Sequence, residues 1–438
     1  MNNIIVTKFG GSSLADAEQF RKVKNIVLSD ERRRYVVPSA PGKRHSKDYK
    51  ITDLFYLCHA HVQQGIPFDD VFKVIEERYK GIVEELNIPL DIVGHLKEVK
   101  NKIAEGATPD YTASRGEYLN GLILADFLNV HFVDAAEVIK FDKYGYFDSE
   151  STKKAVGEKL GSIERAVIPG FYGAMPDGSI KTFSRGGSDI TGSIVARDTK
   201  AVLYENWTDV SGFLMADPRI VDNPKPIEEI TYKELRELAY MGATVLHEEA
   251  IFPAKEEGIP INIKNTNAPE DKGTIIVNDD EAKKDLGNIT GIAGRKDFTV
   301  IAIEKAFMNS EIGFARRILS ILEAYGVPFE NMPAGIDTMS VVIADSNLDN
   351  KLDKILEEIK RQCNPDTLQV IPNMALIATV GRGMSRTIGT SEKIFTVLAR
   401  SNVNIRMIDQ GSSEMNIIIG VEANDFERAI NSIYKAFV

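Results

Sequence analysis

Two glycine turns hold the residues whose chemistry can be read first. They are Lys8-Phe9-Gly10-Gly11-Ser12-Ser13 and Phe183-Ser184-Arg185-Gly186-Gly187-Ser188-Asp189. Glycines without Cβ atoms let an anion approach the backbone closely, and each turn leads into a helix-like segment whose free N–H groups and dipole attract phosphate. Lys8 and Arg185 add full positive charges, and the serines add hydroxyls. One such turn is most often simple loop geometry. Two, each with a cation and hydroxyls, point to phosphoryl transfer.

These turns need rigid elements behind them. Ile4 to Val6 has strand character and stops at Gly10-Gly11, after which Ala15 to Val27 reads as a helix with Phe20, Val23 and Val27 on one face. Further strand-like runs (Tyr35–Val37, His131–Val133, Ala166–Ile168, Ala201–Tyr204) alternate with helical patterns such as 68–86, where Val71, Ile75, Ile82 and Leu86 keep helical spacing. That alternation predicts an α/β domain with a mainly parallel sheet between helix layers. The polar stretch 265–272 and the charged run 278–285 mark its end, so the first domain is placed at 1–280.

Composition limits the alternatives. A chain of 438 residues with 43% hydrophobic and 27% charged content is ordinary for a globular protein of about three domains. A net charge of -11 argues against a general nucleic-acid or anionic-membrane binder. Cys58 and Cys363 stand far apart with no C-x-x-C, and no run approaches the ~20 apolar residues that cross a bilayer. The expected compartment is a reducing cytoplasm. The six histidines form no H-x-x-x-H or H-E-x-x-H pair, and His247 reads as structural. No G-x-x-x-x-G-K-[ST] is present, and no G-x-G-x-x-G follows a strand.

Beyond residue 297 the sequence repeats without gaps at an offset of 76 residues. Ile301-Ala302-Ile303 falls on Ile377-Ala378-Thr379, Ile318–Leu322 on Ile394–Leu398, Val327 on Val403, and Thr338–Ile343 on Glu414–Ile419. Each copy reads strand, helix, strand, strand, helix. A ferredoxin-like βαββαβ unit needs one more strand, but the second copy stops on its helix. We expect the segment before the first copy, at 288–294, to supply it. The two units are placed at 298–372 and 373–438.

With both turns, the middle blocks and the repeat in place, the whole chain resembles the aspartokinase family of amino-acid kinases with two C-terminal ACT domains. Lys8 to Ser13 looks like the family's opening motif, Ser114-Arg115-Gly116-Glu117 like its substrate block, and Arg185 to Asp189 like its second turn. Trp207 to Gly212, continued through Ala216-Asp217-Pro218-Arg219, resembles the nucleotide loop, and Met241 to His247 the helix after it. Leu214 and Glu248 depart from the Tyr and Pro that many members carry, and 39–52 is longer than usual, with Lys43, Arg44, Lys47 and Lys50 in the insertion. The implied fold is a three-layer αβα sandwich followed by two ACT domains. The implied reaction is phosphorylation of the side-chain carboxylate of L-aspartate by ATP with Mg²⁺.

A carboxylate nucleophile is already ionised at neutral pH, so catalysis must come from positioning and charge neutralisation. Lys8 is the candidate for the transferring phosphoryl group, with Gly10, Gly11 and Ser12 as further donors. Arg185 can grip the substrate α-carboxylate bidentately, and Glu117 and Asp189 are the acids for its ammonium. Ser39, Thr52 and Ser188 look like the family's hydroxyl contacts to substrate, and Thr208, Asp209, Leu214, Asp217, Arg219 and Lys264 its nucleotide contacts. No protein ligand for the metal is assigned.

In the first repeat, the turn holding Met308, Ser310, Glu311 and Gly313 precedes a helix and can receive an effector's carboxylate, while Glu330 and Asp337 can meet its ammonium. Arg406 stands where Glu330 does in the second copy, so the two units should differ. L-lysine is the first candidate effector and L-threonine the second. A homodimer or tetramer is expected. The alternatives are another enzyme of this fold (acetylglutamate, glutamate 5- or uridylate kinase) and a non-catalytic amino-acid sensor; the repeat and the substrate block oppose the first, and the presence of Lys8, Arg185 and Asp189 opposes the second.

Overall fold

The computed structural model describes residues 3–184, 186–243, 248–282 and 287–438, with the side chains of Glu248 and Glu249 left aside. Arg185 and His247 therefore lie outside the described residues. The chain divides into two bodies: 1–213 with 226–232 and 245–282, and 214–225 with 233–244 and 283–438.

In the first body the strands are β1 (Ile5–Phe9), β2 (Arg33–Pro38), β3 (His131–Phe132), β4 (Ala166–Val167), the small hairpin β5 (Tyr172–Ala174) and β6 (Ile180–Thr182), β7 (Leu203–Thr208), β8 (Glu229–Thr231), β9 (Ile261–Asn265) and β10 (Thr274–Val277). Eight of them form one sheet in the order β3-β4-β2-β1-β7-β9-β10-β8, parallel except for the β9/β10 pair. β1 is buried along its whole length, as a central strand covered on both faces must be. Alternation along it decides the layers. Phe9 joins the apolar cluster formed by the helices Ala17–Leu28, Ile51–Gln63, Asp69–Leu86, Ile92–Ala104 and Pro109–Leu128. Lys8, on the opposite face, meets the helix Gly187–Asp198. The chain leaves β1 toward β2 on one side and returns at β7 on the other, which opens a crevice at the carboxyl ends of these strands.

The second body carries β11 (Gly291–Glu304), β12 (Thr338–Ala344), β13 (Thr367–Val380), β14 (Met407–Asp409) and β15 (Asn416–Glu422), an antiparallel sheet ordered β12-β11-β13-β15-β14. β11 and β13 are each 14 residues long and serve both repeats. Phe298–Glu304 pairs with β12, while Gly291–Arg295 pairs with Leu376–Val380 beside β15. Left-handed Asp297 marks the register shift between the two halves. In the first repeat the second strand is reduced to the isolated bridges Asn331–Val342 and Ala334–Met339. Phe314–Ala324 and Leu352–Cys363 close one core, Thr390–Arg400 and Phe426–Phe437 the other. Among the described residues, no helix is long and apolar enough to cross a membrane.

Candidate active site

Parallel pairing places Lys8 beside Asn206, and since registered partners in neighbouring strands share a face, their side chains meet. Lys8 Nζ lies 2.6 Å from Asp189 Oδ1 and 3.4 Å from Asn206 Oδ1, and Asn206 Nδ2 donates to Asp189 Oδ1 at 2.7 Å. All three groups are buried or nearly so, which strengthens each contact. Asn206 escaped the sequence reading; its one signal was its place in the strand running into Trp207-Thr208-Asp209.

The first turn differs in detail from the expected strand-to-helix entry. Gly11–Leu14 form a short 3₁₀ turn, and the α-helix starts only at Ala17, where Asp16 caps it by accepting from the Gln19 N–H at 3.0 Å. Its own carboxylate thus occupies the helix end. Gly10 N–H donates to the Trp207 carbonyl and Ser13 N–H to Gly10; among the described residues the Gly11 and Ser12 N–H groups have no backbone acceptor. The Ala40–Gly42 backbone lies directly behind the turn. Gly42 N–H donates to the Gly11 carbonyl at 2.8 Å, and a Cβ on Gly42 would sit 2.6 Å from Gly11 C.

Ala40 also reaches the second acid. Glu117, in the middle of the helix Pro109–Leu128, is 5% exposed and its Oε2 has no hydrogen-bond partner. Burial pushes its carboxyl up to about 8, offset only in part by the Ala40 N–H. Gly116 allows this approach, because a Cβ there would stand 2.8 Å from the Ala40 Cβ. Ser39 takes its place at the end of β2, its N–H donating to the Phe9 carbonyl and its own carbonyl accepting from Asn120 Nδ2 at 2.6 Å. Thr52 is half-buried in the first turn of the helix Ile51–Gln63.

At the second turn, left-handed Gly186 caps the helix Gly187–Asp198. Asp189 is therefore not the cap, and its carboxylate is free to serve Lys8. Ser188 is buried against Gly170, and Gly187 against Phe171, leaving no room for a Cβ at either glycine. Phe171 holds φ 81°, a costly backbone conformation for an aromatic residue, with its N–H on Thr191 Oγ1 at 3.1 Å. Sequence alone does not flag it.

The basic insertion is tied down from within. Asp48 is buried, accepts from Arg44 Nε at 2.9 Å and from Arg78 Nη2 at 2.5 Å, and these bonds hold its carboxyl well below the usual carboxylate range. Arg78 in turn donates to the carbonyls of Gly42 at 2.9 Å and Ala15 at 3.4 Å, on either side of the glycine turn. Arg44 is thus committed to Asp48, while Lys43, Lys47 and Lys50 are exposed.

Thr208 ends β7, and its hydroxyl donates to Asp209 Oδ1, just beyond the strand, at 3.1 Å. Lys264 lies 5.2 Å over the Trp207 ring, donates to the Asp271 carbonyl at 2.9 Å, and is lowered by burial. Leu214, Asp217 and Arg219 belong instead to the second body, where Arg219 forks onto Asp217 with Nη2–Oδ2 at 2.5 Å. No group of three or more His, Cys, Asp or Glu among the described residues is arranged to hold a metal ion.

In the first repeat, the N–H groups of Met308, Asn309, Ser310 and Glu311 are spent on carbonyls, so a carboxylate would have to bind at the first turn of the helix after left-handed Gly313. Glu311 is paired with Lys305 at 2.7 Å and with Arg317, which hold its carboxyl down. Asp337 Oδ1 accepts from the Phe307 N–H at 2.9 Å. Glu330 N–H donates to the Val342 carbonyl, and its side chain bonds the Tyr240 hydroxyl, which burial first and Glu330 second push up to about 12.

Residues 3–265 match the amino acid kinase family, and residues 377–437 match an ACT domain. The chain is 38% identical to aspartokinase 3 of Bacillus subtilis, over 99% of this chain and 98% of that one. A crystal structure of aspartate kinase from Clostridium acetobutylicum has a TM-score of 0.95 at 66% identity, covering 99% of this chain and 100% of that one. E. coli aspartokinase III in complex with lysine and aspartate, in the T-state, has a TM-score of 0.77 at 26% identity over 99% of each chain.

Proposed function

The chain belongs to the aspartokinases, within the amino acid kinase family, and we propose that it transfers the γ-phosphoryl group of ATP to the side-chain carboxylate of L-aspartate, giving ADP and 4-phospho-L-aspartate. One observation carries the reading. The segment Ala40–Gly42 backs the Gly10–Ser12 turn and also supplies an N–H to the unsatisfied Glu117, so a phosphate cradle and an acid lacking its cation are built on the same three residues.

The substrate carboxylate needs no general base. It attacks the γ-phosphorus as the bond to the bridging oxygen breaks, and the work lies in bringing two anions together. In the free protein Asp189 neutralises Lys8. The arriving phosphates draw Lys8 toward the turn, and the substrate ammonium takes its place against Asp189 and gives Glu117, on losing its proton, the cation it lacks. Arg185, carried over from the family motif, grips the α-carboxylate. Mg²⁺ arrives on the nucleotide phosphates and takes its remaining oxygens from water. This would be the entry step to lysine, threonine and methionine synthesis, with feedback through the ACT repeats. Lysine is the first candidate effector, a choice supported by the lysine complex of the E. coli relative. A homodimer or tetramer in the cytoplasm completes the reading, supported by the family resemblance.

Folded protein with Mg-ATP should yield aspartyl hydroxamate from L-aspartate and hydroxylamine. Phosphorylation of N-acetylglutamate or glutamate instead would overturn the assignment. Lys8→Met should mainly lower kcat, by about 10²–10³, and Arg185→Lys should mainly raise the aspartate KM. Lysine and threonine titrations on wild type and Glu330→Ala test the effector site: inhibition should weaken in the variant, and unchanged inhibition there would remove Glu330 from it.

A further inference from the structure

The first repeat caps its own turn with an acid. Asp366, just before β13, accepts the Ala306 N–H on Oδ2 at 2.7 Å, while its own N–H donates to the Glu304 carbonyl at 2.8 Å. At the 76-residue offset Ala306 falls on Arg382 and Glu304 on Val380. In the second repeat it is Thr290, just before β11, whose N–H donates to the Val380 carbonyl, at 2.7 Å, so Thr290 stands where Asp366 stands in the first. A threonine carries no charge, and the Arg382 N–H needs another acceptor.

Glu234 supplies it. It lies in the helix Tyr232–Tyr240, of which 233–240 belong to the second body. Its Oε1 accepts the Arg382 N–H at 2.9 Å and the Thr290 hydroxyl at 2.6 Å, and its Oε2 accepts from Arg382 Nη1 at 3.0 Å. The Glu234 side chain is 0% exposed. A carboxylate shut off from water and met by a backbone N–H, a hydroxyl and a guanidinium is held as a bound anion is held. The donors belong to the repeat, whereas the acid comes from 148 residues before Arg382.

We propose that these donors form a carboxylate socket in the second ACT unit and that Glu234 is its tethered ligand. The free ligand that fits the socket is a small monocarboxylate, held by the same donors. The tether keeps Glu234 at high effective concentration, so a free carboxylate enters only when Glu234 is withdrawn or removed. Glu237, on the same helix, accepts from Asn416 Nδ2 of β15 at 2.6 Å, an anchor that remains when the socket is emptied.

The test is thermal melting of the full-length protein, a readout independent of which acceptor is phosphorylated. Glu234→Ala should lower Tm, because it takes a buried carboxylate away from its donors. Sodium formate at about 100 mM, compared with sodium chloride at equal ionic strength, should return about half of that loss or more by binding the emptied socket. Wild type and Glu237→Ala should melt alike in the two salts, which a general effect of formate on stability would not allow. An unchanged Tm in Glu234→Ala, no recovery in formate, or an equal rise in all three proteins overturns the proposal. Should Glu234→Ala fail to fold in either salt, Glu234→Gln and Arg382→Gln, singly and combined, take its place. Their losses of stability should then be non-additive, and additive losses overturn the socket.

Discussion

Asp48 and Glu117 are both buried carboxylates, and both are linked to the Ala40–Gly42 segment, Glu117 through the Ala40 N–H and Asp48 through Arg78, yet the protein treats them in opposite ways. Asp48 is 7% exposed and saturated by Arg44 and Arg78, and its carboxyl is held down. Glu117 is 5% exposed, keeps an oxygen without a partner, and is pushed up to about 8. A buried acid with its cations supplied by the chain is part of the scaffold. One left without a cation is a place where a cation is meant to arrive.

The strongest way to break this contrast is Asp48→Ala. It strands Arg78 in the interior, so global stability in denaturant should drop by about 3–5 kcal/mol. Nucleotide affinity should fall with it, because Arg78 would no longer brace the Gly42 carbonyl. Glu117→Gln should do the reverse to stability while removing aspartate kcat/KM by about 2–5 kcal/mol, the usual cost of one missing partner in a buried charge contact. A large loss of stability in both variants would erase the distinction.

Smaller but sharper is the pH dependence. Glu117 has a folded value near 8, above its unfolded value of about 4.3. The stability it lends is complete below the unfolded value and is lost as pH rises through the folded one. Asp48 has a depressed folded value, so its contribution is present above the unfolded value of about 3.9 and is lost as pH falls through the folded one. Thermal melts should therefore show Glu117→Gln flattening the decline between about pH 5 and 8 and Asp48→Asn flattening the acid limb. The smallest effect is on substrate: only ionised Glu117 can take an ammonium, so the aspartate KM should fall about fivefold from pH 7 to pH 8.

Much of the fold was legible because it rests on local signals. The alternation of apolar runs and helical spacings marks the parallel sheet, and the repeat of Ile301–Ile343 at Ile377–Ile419 marks the two ACT units. Lys8, Asp189 and Glu117 were legible as charged residues inside motifs. Pairing across long sequence distances was not. Asn206 becomes visible only through its register with Lys8, and Arg78 looks like any arginine on an amphipathic helix until Asp48 and Gly42 are placed against it. Phe171 requires a backbone angle, and the membership of Asp217 and Arg219 in the second body requires its core.

The most direct test is to count the protons displaced when L-aspartate binds. Calorimetric titration at pH 7, in the presence of Mg²⁺ and a non-hydrolysable ATP analogue, is run in buffers of different ionisation enthalpy. If Glu117 rests protonated and gives up its proton to receive the substrate ammonium, about one proton leaves per aspartate bound, and Glu117→Gln abolishes both the release and most of the affinity. Tight binding with no proton release in wild type, unchanged in Glu117→Gln, would contradict the account.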